Sequence, residues 1–141
     1  MPDESTTPDL VEAIRAMFEA GDRRQALDSV MSVLDPNVVM DLSGVGLGSY
    51  TGRAAVREFA ADWWGSYEEF ENKPEEISDL DNGVVLTICH QTARPVGVSG
   101  QVERSDAYVF LFEAGACVRW TAYADIDEGR AAAERLTQER G

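Results

Sequence analysis

Four side chains carry chemistry that their neighbours do not account for: Asp41, His90, Asp106 and Tyr108. Asp41 follows Val38-Val39-Met40, an acid in an apolar, β-branched run. Pointed inward, it would be desolvated, its pKa would rise, and it would suit proton transfer. Pointed outward, it caps the glycine-containing stretch that follows. His90 is the single histidine and shares a strand face with Leu86 and Ile88. It is read either as an acid, base or orienter reaching Asp41, or as a histidine satisfied by backbone. Asp106 and Tyr108 are two residues apart, so they share a face and together would polarise a carbonyl. Their plainer readings are a solvated strand start and an ordinary core aromatic.

Around these four, Phe18, Phe59, Trp63, Ile88, Phe110 and Trp120 are the residues expected to line a pocket for a flat, apolar ligand. A lone histidine with scattered carboxylates makes no metal-ligand cluster, so no metal is expected. Gly44-Val-Gly46-Leu-Gly48 lacks dinucleotide-binding spacing and no βαβ unit surrounds it. It reads as a loop at a pocket mouth, and no cofactor is expected. Cys89 and Cys117 are too few for a disulfide framework and read as buried thiols.

The elements that must hold these groups follow from periodicity. Thr7-Pro8-Asp9 reads as a helix start, with Leu10, Ile14, Met17 and Phe18 at helical spacing after it and Gly21 as a stop. A second helix is read through Ala26, Leu27, Val30, Met31 and Leu34, then a turn at Asp35-Pro36-Asn37 and a strand at 38–42. A third helix spans 53–67. Residues 70–80 form a weak strand, which Pro74 and its acids suit to a sheet edge. Asp81-Asn82-Gly83 is a hairpin signal. Strands follow at 84–94, 101–112 and 117–126, then a helix through Ala131–Leu136. Strands in sequence without intervening helices predict an antiparallel sheet, and the helices must bury a face on it: an α+β fold. The aromatic-rich strand faces are expected to be the helix-covered ones. Residues 1–8 read as a flexible tail, 9–137 as one domain and 138–141 as a second tail.

The 141 residues are 44% apolar and 27% charged, an ordinary globular composition. The charge is lopsided, with 26 Asp+Glu against 12 Lys+Arg and a net of −14. Such a surface repels phosphate backbones and anionic lipid, so neither nucleic acid nor a membrane is an expected partner. A small, neutral, hydrophobic molecule is. No apolar run reaches the ~20 residues of a membrane span, and the start has no leader pattern, so a cytoplasmic location is expected.

Several short segments resemble the SnoaL-like, ketosteroid isomerase-like branch of the nuclear transport factor 2-like superfamily. They are Ala20-Gly21-Asp22, Val38-Val39-Met40-Asp41, the run from Tyr50-Thr51-Gly52-Arg53 to Phe59, and Gly115-Ala-Cys-Val-Arg-Trp-Thr-Ala-Tyr123. The resemblance covers about residues 9–136. It implies a cone-shaped curved antiparallel sheet wrapped by three N-terminal-half helices, with a C-terminal helix, one apolar pocket, and a homodimer through the sheet's outer face. It also implies that Asp41 stands where a proton-shuttling aspartate follows the first strand in steroid isomerases. Ile14 falls where those enzymes carry a tyrosine and Leu42 where a proline often follows the aspartate. The implied activity is isomerase, cyclase or lyase chemistry beside a carbonyl. The alternative is a ligand-binding or dimeric interaction domain without chemistry.

Overall fold

The computed structural model describes residues 10–19 and 23–141. The leading tail, the cap at Thr7-Pro8-Asp9 and the segment Ala20-Gly21-Asp22 lie outside the described residues. The elements run α1 (Leu10–Glu19), α2 (Arg23–Val33), β1 (Leu34–Asp41), a 3-10 turn (Ser43–Val45), β2 (Ser49–Thr51) and α3 (Arg53–Gly65). After them come β3 (Tyr67–Asp79), β4 (Val84–Pro95), β5 (Val102–Glu113), β6 (Ala116–Tyr123) and α4 (Ile126–Arg140). The six strands form one sheet in the order β2-β1-β6-β5-β4-β3. The fold is α+β, as the element order predicts.

Two details of β1 differ from expectation. β1 begins at Leu34, so Asp35-Pro36-Asn37 lies inside the strand, where the ladder to β6 is interrupted between Leu34 and Val39. Proline has no N–H to give a ladder, and the strand absorbs it as an irregularity. The β1–β6 pair is also parallel, the others being antiparallel. No hairpin joins strands so distant in sequence, so turn geometry does not dictate their direction.

The hairpin signal between β3 and β4 is present. Asp81, Asn82 and Gly83 all take positive φ (77°, 59° and 84°). At Gly83 a Cβ would lie 2.3 Å from the Phe112 carbonyl oxygen, so the turn needs glycine for space as well as conformation.

Pairing register sorts the side chains onto two faces. Val85, Thr87, Cys89 and Gln91 of β4 stand opposite Phe110, Tyr108, Asp106 and Arg104 of β5. This inner face packs against the first three helices through Ile14, Val30 and Val56. Leu86, Ile88, Ala107 and Val109 make the outer face, which α4 covers with Ala133 and Leu136. Each fully buried aliphatic side chain in these layers contributes about 1.5–3 kcal/mol.

Three features seat α4. The Asp125 carboxylate accepts from the Glu128 N–H at 3.1 Å and caps the helix. Gly129 lies so close to the sheet that a Cβ there would meet the Ala107 Cβ at 2.5 Å. Arg130 donates through Nη1 and Nη2 to both Glu76 oxygens at 2.8 and 2.6 Å. That reach depends on the edge strand. β3 is bulged between Pro74 and Glu76. Before the bulge Asn72 and Pro74 share the inner face with Gln91 and Cys89; after it Glu76 pairs with Ile88 and is outward.

Candidate functional site

The inner face of the sheet carries a polar cluster set in an apolar and aromatic surround. β5 places Asp106, Tyr108 and Phe110 there at strand spacing, β4 adds Thr87, Cys89 and Gln91, β3 adds Asn72 and β6 adds Trp120. Asp106 is only 1% exposed, and it is the one ionisable carboxylate among the described buried residues. Arg104, two residues before it on the same strand, places both Nε and Nη2 3.0 Å from Oδ2. Burial pushes the Asp106 carboxyl above its ordinary value, and the Arg104 guanidinium only partly opposes that.

Tyr108 is the centre of the cluster. The Gln91 amide donates to its hydroxyl oxygen. Burial raises the Tyr108 pKa, with Cys89 and Asp106 adding to the rise and the Asn72 side chain tempering it. The hydroxyl therefore stays protonated and is a donor as well as an acceptor. On the same face, three buried polar atoms have no hydrogen-bond partner among the described residues: Asn72 Oδ1, Thr87 Oγ1 and Trp120 Nε1. Buried polar groups are nearly always paired, and leaving one unpaired costs about 1–3 kcal/mol. Cys89 is fully buried and its thiol is pushed up to about 12, chiefly by burial, so it is no nucleophile at neutral pH.

Aromatic rings wall the cluster. Phe18 of α1 stacks on Tyr108 at 6.4 Å between centroids, and Trp120 and Phe110 meet Tyr108 edge-on at 5.7 and 6.1 Å. A second run, Tyr50–Phe59–Trp63–Phe70, links β2, α3 and β3 at 4.6, 6.0 and 6.0 Å. Of the expected pocket-lining residues, Phe18, Phe110 and Trp120 thus lie beside the cluster, and Phe59 and Trp63 belong to the neighbouring run.

Three expectations are corrected. Asp41 pairs in register with Thr121 and shares the outer side with Val39, while Val38, Met40 and Leu42 enter the core. Its Oδ1 accepts from the Ser43 hydroxyl at 2.6 Å and the Ser43 N–H at 3.0 Å. Those bonds, with Arg119 at 3.7 Å, hold its pKa below the usual value rather than above it. It caps the turn that starts the glycine stretch. His90 lies opposite Ser105 on the outer face, with Nδ1 3.2 Å from Ser105 Oγ and Nε2 3.0 Å from Glu103 Oε1. It does not meet Asp106 or Tyr108. Ile88 is likewise outer, in the layer under α4.

Gln91, Asn72 and Thr87 are cluster members that sequence reasoning missed. Alternation placed Gln91 and Thr87 on one face, but the register that joins that face to Asp106 and Tyr108 is not written in either strand alone. Among the described residues, no group of three His, Cys, Asp or Glu could hold a metal ion. No helix there is long and apolar enough to cross a membrane.

Solved structures share this fold. A nuclear transport factor 2-like protein of unknown function from Burkholderia pseudomallei superposes with a TM-score of 0.71 at 21% identity, covering 86% of this chain and 95% of that one. A protein described as a SnoaL-like polyketide cyclase, from Jannaschia sp. CCS1, gives 0.70 at 15% identity, with 94% and 96% covered. A ketosteroid isomerase-like protein from Catenulispora acidiphila, in complex with trimethylamine, gives 0.69 at 14% identity, with 92% and 95% covered. At these identities the likeness is one of fold, and the fold is the one that the sequence resemblance implies. No protein-family model and no curated protein matches the chain.

Proposed function

We propose that the chain binds a small, neutral, largely apolar molecule at the inner face of its sheet, with a carbonyl group of that molecule at Tyr108. The observation that carries this reading is that three unpaired buried polar atoms share the face of the sheet that carries Tyr108. Asn72 Oδ1, Thr87 Oγ1 and Trp120 Nε1 lie on the same face as the Tyr108 hydroxyl. Gln91 occupies one lone pair of that hydroxyl, so its proton is left for an acceptor on the ligand. Phe18, Phe110 and Trp120 supply apolar walls.

Acid–base chemistry beside that carbonyl is the catalytic form of the reading. Asp106 takes the part first given to Asp41. With Oδ2 held by Arg104, Oδ1 accepts the proton next to the carbonyl, and the Tyr108 hydroxyl donates to the oxygen as charge gathers there. The raised Asp106 pKa suits a group that must both take and return a proton. The resemblance to isomerases and cyclases of this fold supports that class of reaction.

Binding without chemistry is the second reading, favoured by the tight aromatic packing around Tyr108, which is 7% exposed. One experiment separates the two. A panel of apolar ketones is screened by thermal shift, and each hit is incubated in D2O and analysed by mass spectrometry. Deuterium uptake that Asp106→Asn abolishes supports catalysis. A thermal shift without uptake supports binding alone, and no shift with any ketone removes both. A cytoplasmic location and a homodimer through the outer face belong to the same reading. α4 covers part of that face, so a second copy would seat on the strip at Lys73, His90 and Ser105, and sedimentation equilibrium tests for it.

A further inference from the structure

The far side of the sheet holds a second recess, independent of the inner cluster. A cavity of about 210 Å³ lies between α4 and strands β5 and β6, with Val109, Leu111 and Leu136 as its apolar walls. Thr121 and Tyr123 from β6 also line it, as do two guanidinium groups, Arg119 and Arg135. In a chain of net charge −14, two arginines against the single carboxylate of Glu139 leave the lining of this recess with one net positive charge. The Arg135 side chain makes no ion pair or hydrogen bond among the described residues. Among the described residues the Arg119 side chain has only the 3.7 Å pair with Asp41.

We infer that this recess binds a small organic monocarboxylate, with one aromatic ring or a short alkyl chain as its apolar body. The carboxylate answers the two guanidinium groups, which present planar donor pairs suited to its two oxygens. The body lies on Val109, Leu111 and Leu136. Size sets the upper limit, because the volume is below the ~300–1,000 Å³ of sites for drug-sized ligands. Charge sets the other limit. Glu139 also lines the recess, one helical turn after Arg135, and it disfavours a second negative charge on the ligand.

Calorimetric titration of the full chain with benzoate, its neutral isostere benzamide, and hexanoate tests the site. Benzoate is expected to bind about tenfold tighter than benzamide, the order of gain from a charge-assisted pair. Arg135→Gln, an exposed change, is expected to erase that difference, and Asp106→Asn on the inner face to leave it intact. Equal affinity for benzoate and benzamide overturns the inference, as does full benzoate affinity in Arg135→Gln. No binding of benzoate or hexanoate at millimolar concentration overturns it too. So does a dimer, detected by sedimentation, that Arg135→Gln dissociates, because the recess then belongs to an interface between copies.

Discussion

Cys89 and Asp106 face each other across β4 and β5 on the inner side of the sheet, while His90, the next residue along, faces Ser105 on the outer side. One residue of register thus separates a buried acid from the only histidine. Any chemistry that joins Asp106 to His90 would have to pass through the sheet; the partner of Asp106 is Arg104, and the rest of the inner cluster offers amides and a phenol but no imidazole.

Asp106 makes stability depend on pH in a predictable direction. Its folded pKa lies above the unfolded value, so the native state holds this proton more tightly. Its contribution is most favourable below the unfolded pKa and is lost as pH rises toward the folded pKa. Asp106→Asn cannot ionise. The melting temperature of the variant relative to the native chain is therefore expected to climb from pH 4 to pH 7. A flat difference would mean that Arg104 fully offsets burial.

Asp41 makes the opposite contribution by a local route. Its folded pKa is lowered by Ser43, so this stabilisation is present above the unfolded pKa and is lost as pH falls through the folded one. Asp41→Ala is expected to cost about 1 kcal/mol in denaturant titration, the value of a net hydrogen bond. Ligand binding at the inner face should be unchanged. Loss of that binding in a folded Asp41→Ala protein would return Asp41 to the site.

Thr87→Val separates a structural role from a ligand-facing one. The swap removes a buried hydroxyl that has no partner and keeps the side-chain shape. The free protein is expected to gain about 1 kcal/mol, since the unpaired group is costly. The thermal shift from a bound ketone should shrink in the same variant. A destabilised Thr87→Val protein would show that the hydroxyl has a partner after all.

Gly129→Ala probes the seat of α4. The new methyl would meet Ala107 at 2.5 Å, so the helix must shift or lift. A loss of about 1–3 kcal/mol is expected, as for other overpacked interfaces. The recess against β5 and β6 should change with it. Benzoate affinity measured on the folded variant reports that change.

Element order was legible in the sequence because periodicity, the Asp81-Asn82-Gly83 turn and the aromatic strand faces each point one way. The position of Asp41 was legible too: Val38, Met40 and Leu42 alternate with it, and that alternation already sets it opposite the core. His90 is a different case. Both faces of β4 are apolar, with Leu86 and Ile88 on one and Val85 and Cys89 on the other, so neither face announces itself as inner. Only pairing to β5 decides, and a one-residue slip would exchange every side chain.

The bulge at Pro74–Glu76 gives the edge strand two independent phases. Before it Asn72 and Pro74 take the inner face at even positions, and after it Ile77 takes that face while Glu76 turns to α4. Substitutions at Asn72 change the inner face while leaving the Glu76–Arg130 anchor on the outer one. Deleting Glu75, the extra residue, would leave an unbroken ladder with Glu76 still opposite Ile88 and would remove the slack between the two phases. The extra residue thus works as a joint that uncouples adaptation of the site from retention of the helix behind it.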